Sequence, residues 1–430
     1  MAEARLCRVD RHDPDRHRPD VSGRSQARQR RQPPARQDAD HPSRHRRGAG
    51  GTGRRGRHGD RRRDARQVLG GGDPDGHARL RGPRQGPRGP EITSRTSSVR
   101  TRSLEQVLKE RVWNLVGSDL EEVETEIGRE LSSPVPLIQE MAGYIATAGG
   151  KRLRPMLLLL AARLAGYRGP RSIRLACVVE LLHTATLIHD DVVDQAPLRR
   201  GRPSVNAQWG DDASVLVGDH LYSKSFASLV RDNDPRVMET LARATVSMTE
   251  AEVFQLERKR EGLTSEADYV RIITQKTASF MSACCRIGAL LGGLSEAHVD
   301  ALTRYGLDVG VAFQISDDSL DFVADQDRLG KAIGADLREG KRTLPLIATL
   351  ARATASEAER VRQLLRRRTL PPDEIEEIRQ LVIQHDGVDY ALARAHAYAQ
   401  AAKQDLEVFS PSEERETLGL IADFVVDRDR

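Results

Sequence analysis

An all-α fold, a large single helical domain preceded by a disordered leader, is what this sequence predicts, and three observations predict it. Strand signals are scarce: aromatic residues make up 4% of 430, no stretch sustains period-2 alternation, and no Asn-Gly pair marks a hairpin. From residue 103 onward apolar residues recur at helical spacing instead. The first 90 residues hold 24 arginines, no lysine, 11 acidic residues and no Phe, Trp or Tyr. A segment so poor in apolar residues cannot offset its ordering entropy and is expected to be disordered.

Helices are expected over 103–116, 119–131, 134–148, 152–166, 171–194, 211–231, 235–260, 266–291, 295–324, 342–352, 356–367, 372–386, 388–407 and 412–427. Ser103-Leu-Glu-Gln106 opens the first as a capping box. Gly-Tyr-Arg-Gly-Pro at 166–170, Asp-Asn-Asp-Pro at 232–235 and Leu-Pro-Pro at 370–372 punctuate later ones. Residues 103–430 are ample for one large domain. No apolar stretch reads as a membrane span; Met156–Leu160 is short and Arg163 interrupts it. Cys7, Cys177, Cys284 and Cys285 show no ligand spacing and read as reduced thiols of a cytoplasmic protein.

Charge divides the chain. The formal net charge of +5 separates into +13 on residues 1–90 and −8 on the remainder. The leader could be a nucleic-acid-binding arm, while its 11 acidic residues argue against a transit peptide. An Arg-, Gly- and Pro-rich run without lysine is also what a GC-rich frame gives upstream of a true start, and that is the reading preferred here.

Two acidic clusters carry the functional information. Asp190-Asp191-Val-Val-Asp194 and Asp317-Asp318-Ser-Leu-Asp321 each have the form D-D-x-x-D at the end of an apolar run. On a helix Asp190 and Asp194 share a face, as do Asp317 and Asp321. Crowded like charges call for a cation, and Mg²⁺ is usually held by one or two carboxylates plus substrate phosphates. One such motif reads equally well as a solvated acidic face; two of them argue for a diphosphate trap. Basic residues suited to that anion lie nearby: Lys151 and Arg154 in Gly-Gly-Lys-Arg-Leu-Arg-Pro at a helix N-terminus, Arg199 and Arg200, Lys276-Thr277, Lys331 and Lys341.

From 103 to 430 the chain resembles the trans-isoprenyl diphosphate synthases, the polyprenyl synthetase family. The resemblance rests on Gly149-Gly-Lys-Arg-Leu-Arg-Pro155, His183 with His189-Asp-Asp-Val-Val-Asp194, Arg199-Arg200-Gly, Gly218-Asp219, Lys276-Thr277, Gln314-Ile-Ser-Asp-Asp-Ser-Leu-Asp321, Gly330-Lys331 and Gly340-Lys341. The leader has no counterpart in it. The resemblance implies helices around a central cavity and a homodimer, with a small second subunit not excluded. It implies that Asp190, Asp191, Asp194, Asp317, Asp318 and Asp321 hold Mg²⁺, three ions per site. Lys151, Arg154, His183 and Arg200 would bind isopentenyl diphosphate. Arg199, Lys276, Thr277, Gln314 and Lys331 would bind the allylic diphosphate, with Lys341 a weaker correspondence. The reaction would ionise the allylic C–O bond, with pre-placed cations stabilising the leaving diphosphate, and an apolar cavity would keep water from the carbocation.

Family members making short products carry aromatic residues one turn before the first acidic motif. Here those positions are Ala185 and Thr186, with Phe226 as a candidate deeper floor, so a product longer than geranylgeranyl diphosphate is expected, as for a quinone side chain. A geranylgeranyl diphosphate synthase is the alternative. A terpene cyclase would lack the second D-D-x-x-D, a non-catalytic partner subunit would have degraded motifs, and a nucleic-acid-binding protein would depend on the leader alone.

Overall fold

A computed structural model of the chain describes residues 103–147, 149–261, 264–323, 334–367 and 370–427. The expectations for residues 1–102, Cys7 and Lys331 lie outside the described residues.

The first helix, α1 (Leu104–Glu130), is continuous where the sequence suggested two. The capping box is present: Gln106 N donates to Ser103 Oγ at 3.3 Å and Ser103 N to Gln106 Oε1 at 3.4 Å. Gly117-Ser118 reads as a break, yet Val116 and Val123 are fully buried on either side of it. That burial outweighs the roughly 1 kcal/mol a mid-helix glycine costs, and Asp119 accepts from Arg163 at 2.6 and 3.1 Å.

Helices α2 (Pro136–Thr147), α3 (Leu153–Leu164) and α4 (Pro170–Val193) follow, the last with proline at its first turn, where no amide is needed. By length and composition α4 could reach across a bilayer, which the sequence reading did not anticipate. In the fold 61% of its most apolar window is buried within the protein, packed on α1, α3 and α6.

Next comes a hairpin absent from the sequence reading. Strand β1 (Leu198–Arg199) pairs antiparallel with β2 (Arg202–Pro203). The turn residues Arg200 and Gly201 both have positive φ, 53° and 75°, the backbone of a type I′ turn. Arginine in the first of those positions is why no hairpin signal was legible. A short α5 (Val205–Trp209) leads into α6 (Asp211–Asp232) and α7 (Pro235–Glu261).

The single helix expected over 266–291 is α8 (Glu266–Ile273), a π-helical turn (Thr274–Ala278) and α9 (Ser279–Leu291). After α10 (Glu296–Val323) come α11 (Ala335–Arg338), α12 (Leu344–Arg352), α13 (Ala355–Leu365), α14 (Pro372–Gln384), α15 (Gly387–Asp405) and α16 (Glu413–Asp427). The main core lies among α3, α4, α9, α10 and α15. A smaller core of Phe322, Leu337, Leu346, Val361, Leu364 and Ile378 packs at the C-terminal end of α10. Arg379 Nε donates to the Phe322 carbonyl there at 2.6 Å, satisfying one of the end carbonyls of the helix that carries the second acidic motif.

Candidate active site

Helix α4 runs its buried face into the core and delivers Asp190 and Asp191 at its last turn, with Asp194 as its C-cap. The two neighbouring aspartates part company. Asp191 is 2% exposed and accepts from Arg199 Nε at 2.9 and 3.3 Å and from Arg199 Nη2. The β1–β2 turn thus aims Arg199 at the helix and leaves Arg200 free to point elsewhere. Asp190 lies on the other side, where burial pushes its carboxyl up to about 6; Lys276 pulls against this, while Glu252 and Asp194 add to it.

On the opposing wall Asp317 is exposed and Asp318 is buried. Tyr269 Oη donates to Asp318 Oδ2 at 2.6 Å and Gln314 Nε2 to Oδ1 at 2.8 Å. Thr277 Oγ1 in turn donates to Gln314 Oε1 at 3.0 Å. Burial pushes the Asp318 carboxyl up to about 7 even though both hydrogen bonds oppose it. Asp321 accepts from the amides of Ala335 and Asp336 at 3.1 Å each.

Two lysines stand beside these carboxylates, and one of them, Lys341, acts on both motifs. Lys276 contacts Glu252 of α7 and acts on Asp190, while its neighbour Thr277 belongs to the Gln314–Asp318 chain. Lys341 Nζ lies 3.5 Å from Asp194 Oδ2 and pairs with Glu339. Burial opposes its charge, but Glu339, Asp194 and Asp336 together hold its ammonium above the ordinary range. Lys341, the weaker correspondence from sequence, therefore stands at the site.

A basic pocket forms beside α4. Arg152 has φ 46°, a left-handed conformation costly for a side-chain-bearing residue. Its Nη1 donates to Glu180 Oε1 at 2.6 Å and its Nη2 to Glu124 Oε2 at 3.0 Å, tying the 149–155 segment to α1 and α4. That bend sends Arg154 inward, where Nη1 donates to His183 Nε2 at 2.9 Å. A guanidinium can only donate, so the imidazole nitrogen accepts. Burial, then Arg154, Arg200 and Arg199, hold His183 well below its usual range and keep it neutral. Arg154 Nε is buried without a hydrogen-bond partner, a donor in want of an acceptor. Arg200 reaches back over Gly150, where an added Cβ would stand 3.1 Å from its Nη1. Lys151 is exposed at the rim.

Chain-length candidates fare differently. Ala185 is wholly buried, and Thr186 is half-buried with Oγ1 donating to the His183 carbonyl at 2.8 Å. Phe226 is corrected: it is 38% exposed on the outer side of α6, its ring tilted on Tyr222 at 5.1 Å. The inward face of α6 is Ser214, Val217, Gly218, Leu221 and Ser225, so helical phase turns Phe226 away from any interior floor.

Residues 135–382 match the family described as polyprenyl synthetase. The chain is 39% identical over 319 residues to an octaprenyl diphosphate synthase of Haemophilus influenzae, covering 74% of this chain and 97% of that protein. The chain belongs to the polyprenyl synthetase family. Solved relatives agree. A polyprenyl synthase from Caulobacter crescentus, complexed with calcium and isoprenyl diphosphate, superposes with a TM-score of 0.72 at 41% identity over 75% of this chain and 98% of that one. A decaprenyl diphosphate synthase from Rhodobacter capsulatus gives 0.71 at 39%, over 75% and 99%. As a polyprenyl synthetase the protein is a prenyl-transferring enzyme with the helical fold of these synthases.

Sequence reasoning missed three residues of this polyprenyl synthetase site. Arg152, between Lys151 and Arg154, has no signal for its positive φ, since a bend led by two glycines is expected to place that conformation on a glycine. Glu252 and Tyr269 carry no local signal at all, since only the fold brings α7 and α8 against the motifs.

Among the described residues no group of three or more His, Cys, Asp or Glu side chains lies close enough to share an ion. The donors nonetheless suit a hard cation. Asp190 and Asp194 are carboxylates one turn apart, and Asp190 is forced toward its neutral form by burial and by like charges, a state that a dication reverses. Mg²⁺ bound by one or two carboxylates takes its remaining oxygens from substrate phosphates and water, so a preassembled cage is not required. The same carboxyl predicts a pH dependence. Its folded value of about 6 lies above the unfolded 3.8, so the metal-free protein loses stability as pH rises through that interval. Asp190→Asn should therefore melt higher than the parent at pH about 7.5 without metal, by up to about 3 kcal/mol, and equally at pH about 4. Melting by circular dichroism at both pH values checks this; a variant that melts lower at the higher pH refutes it.

Proposed function

We propose that this polyprenyl synthetase condenses isopentenyl diphosphate with an allylic diphosphate, in a Mg²⁺-dependent reaction, to a trans-polyprenyl diphosphate longer than geranylgeranyl diphosphate. The observation that carries the reading is Lys341 between the two acidic motifs, 3.5 Å from Asp194 and acting on the Asp318 carboxyl, with Lys276 beside Asp190 and with an Arg154 whose buried Nε lacks an acceptor. Asp190, Asp194, Asp317 and Asp321 would hold Mg²⁺, with Asp191 and Asp318 fixed behind them by Arg199 and by Tyr269 and Gln314. Bound there, Mg²⁺ would neutralise charge developing on the departing diphosphate.

The chain's own groups divide the remaining work. Lys276, Lys341 and Arg199 place fixed positive charge beside the allylic diphosphate, lowering the cost of breaking the C–O bond. Arg154, Arg200 and Lys151, with Lys331 and neutral His183, grip and orient the substrates so that the isopentenyl double bond meets the allylic carbon. Long-chain products are supported by the octaprenyl and decaprenyl synthases that the chain resembles, and by small residues at 185 and 186. Purified protein given Mg²⁺, isopentenyl diphosphate and each allylic primer in turn, with products dephosphorylated and sized, tests the reading. Products no longer than geranylgeraniol would overturn the long-chain part of it.

A homodimer is supported by an apolar row on consecutive helices: Leu216 and Val230 of α6 and Val246 and Val253 of α7 are all exposed, at spacings that keep each pair on one face. Light scattering should give twice the chain mass, and Leu216→Asp should halve it; a monomeric parent would refute the dimer. Cys177, Cys284 and Cys285 are buried free thiols, in keeping with a reducing, cytoplasmic setting.

A further inference from the structure

The Lys276–Thr277 pair and the second acidic motif lie on different helices, yet one buried chain of hydrogen bonds joins them. Thr277 donates to Gln314, Gln314 to Asp318, and Tyr269 to the other oxygen of Asp318. Tyr269 is 4% and Asp318 7% exposed. We propose that Tyr269 is a positioning residue that, through the Asp318 carboxylate, holds the second acidic motif in register with the Lys276–Thr277 pair. The proposal rests on the diphosphate-binding reading above.

The π turn is what makes the arrangement possible. Tyr269 and Thr277 are eight residues apart, and on a regular helix at about 100° per residue they would point about 80° apart. The wider turn over Thr274–Ala278, in which Ser279 N donates to the Thr274 carbonyl, takes up much of that offset. Both side chains then meet α10, where Gln314 and Asp318 stand one turn apart on a single face. With one donor on each oxygen, Asp318 is held in one orientation, and its exposed neighbour Asp317 is presented to the cleft as a consequence. Removing the tyrosine hydroxyl leaves Asp318 Oδ2 buried and unpaired. The carboxylate is then free to turn, and both ends of the chain loosen with it.

Tyr269→Phe is the test, with Tyr305→Phe as its control. Tyr305 is also buried and its hydroxyl donates to the Leu418 carbonyl at 2.8 Å, far from either motif in the chain of contacts. Partners that orient metal ligands are worth about 10–100-fold in affinity. Tyr269→Phe should therefore weaken calorimetric binding of Mn²⁺ with inorganic diphosphate by about tenfold or more, and raise KM for the allylic primer while leaving KM for isopentenyl diphosphate unchanged. Tyr305→Phe should lower the melting temperature and move neither quantity. If Tyr269→Phe behaves like Tyr305→Phe, the hydroxyl is only structural and the proposal is overturned. Failure of the unmodified protein to bind Mn²⁺ with diphosphate overturns the reading of this site as a metal–diphosphate site, and the proposal with it.

Discussion

Asp190→Ala and Asp194→Ala should each abolish condensation, by about a thousandfold or more in kcat, while the protein stays folded. The magnitude follows from the chemistry: removing one pre-placed electrostatic contact to a transition state commonly costs about 10²–10³, and here a whole dication is displaced. Fold retention follows from the geometry. Asp190 carries an unfavourable charge in the metal-free protein, so its loss leaves no orphaned partner of its own making. Asp191→Ala makes the contrast. That carboxylate is buried against Arg199, whose own side chain is 36% exposed, so removing it costs less than the roughly 3–5 kcal/mol of a fully buried pair, yet this variant should lose both turnover and melting temperature. Condensation assays beside melting curves separate the cases. Near-normal turnover of the Asp190 or Asp194 variant would sink the metal assignment.

A phenylalanine at position 186 should shorten the product to farnesyl or geranylgeranyl length without stopping initiation. Thr186 stands one turn before Asp190 and is half-buried, so a ring there has room to enter the path of the growing chain while the metal ligands stay untouched. Ala185→Phe should shorten the product too, but with a lower melting temperature. Ala185 is wholly buried, and overpacking costs about 1–3 kcal/mol. Phe226→Ala should leave product length unchanged, because that ring faces outward onto Tyr222. Sizing the dephosphorylated products decides all three. Unchanged length in both the 185 and 186 variants would place the elongation path elsewhere.

The helical class, most helix positions and the acidic and basic motifs were legible in the residues, because each depends on spacing along one helix or one turn. Periodicity gave α3, α4, α6, α7 and α10 nearly to their ends, and i, i+4 geometry was enough to pair Asp190 with Asp194. Where a local signal competed with packing, packing won: Gly117 did not end α1, because Val116 and Val123 are buried on both sides of it. Sequence could also name adjacent residues without telling them apart. Asp190 and Asp191, or Asp317 and Asp318, look equivalent as letters, but successive helical residues point about 100° apart. Only the surroundings say which of each pair meets a guanidinium or a tyrosine and which meets the cleft.

Sequence by itself thus determined the chemistry available to this protein: carboxylates, lysines and arginines at spacings suited to a metal diphosphate. Tertiary structure decided which of those groups work and which hold others in place. The Arg200–Gly201 turn that swings Arg199 onto Asp191, the π turn that lines up Tyr269 with Thr277, and the outward phase of Phe226 all depend on contacts between segments far apart in the chain. Such contacts are set by burial of surfaces against one another, a sum over many residues that no short motif records.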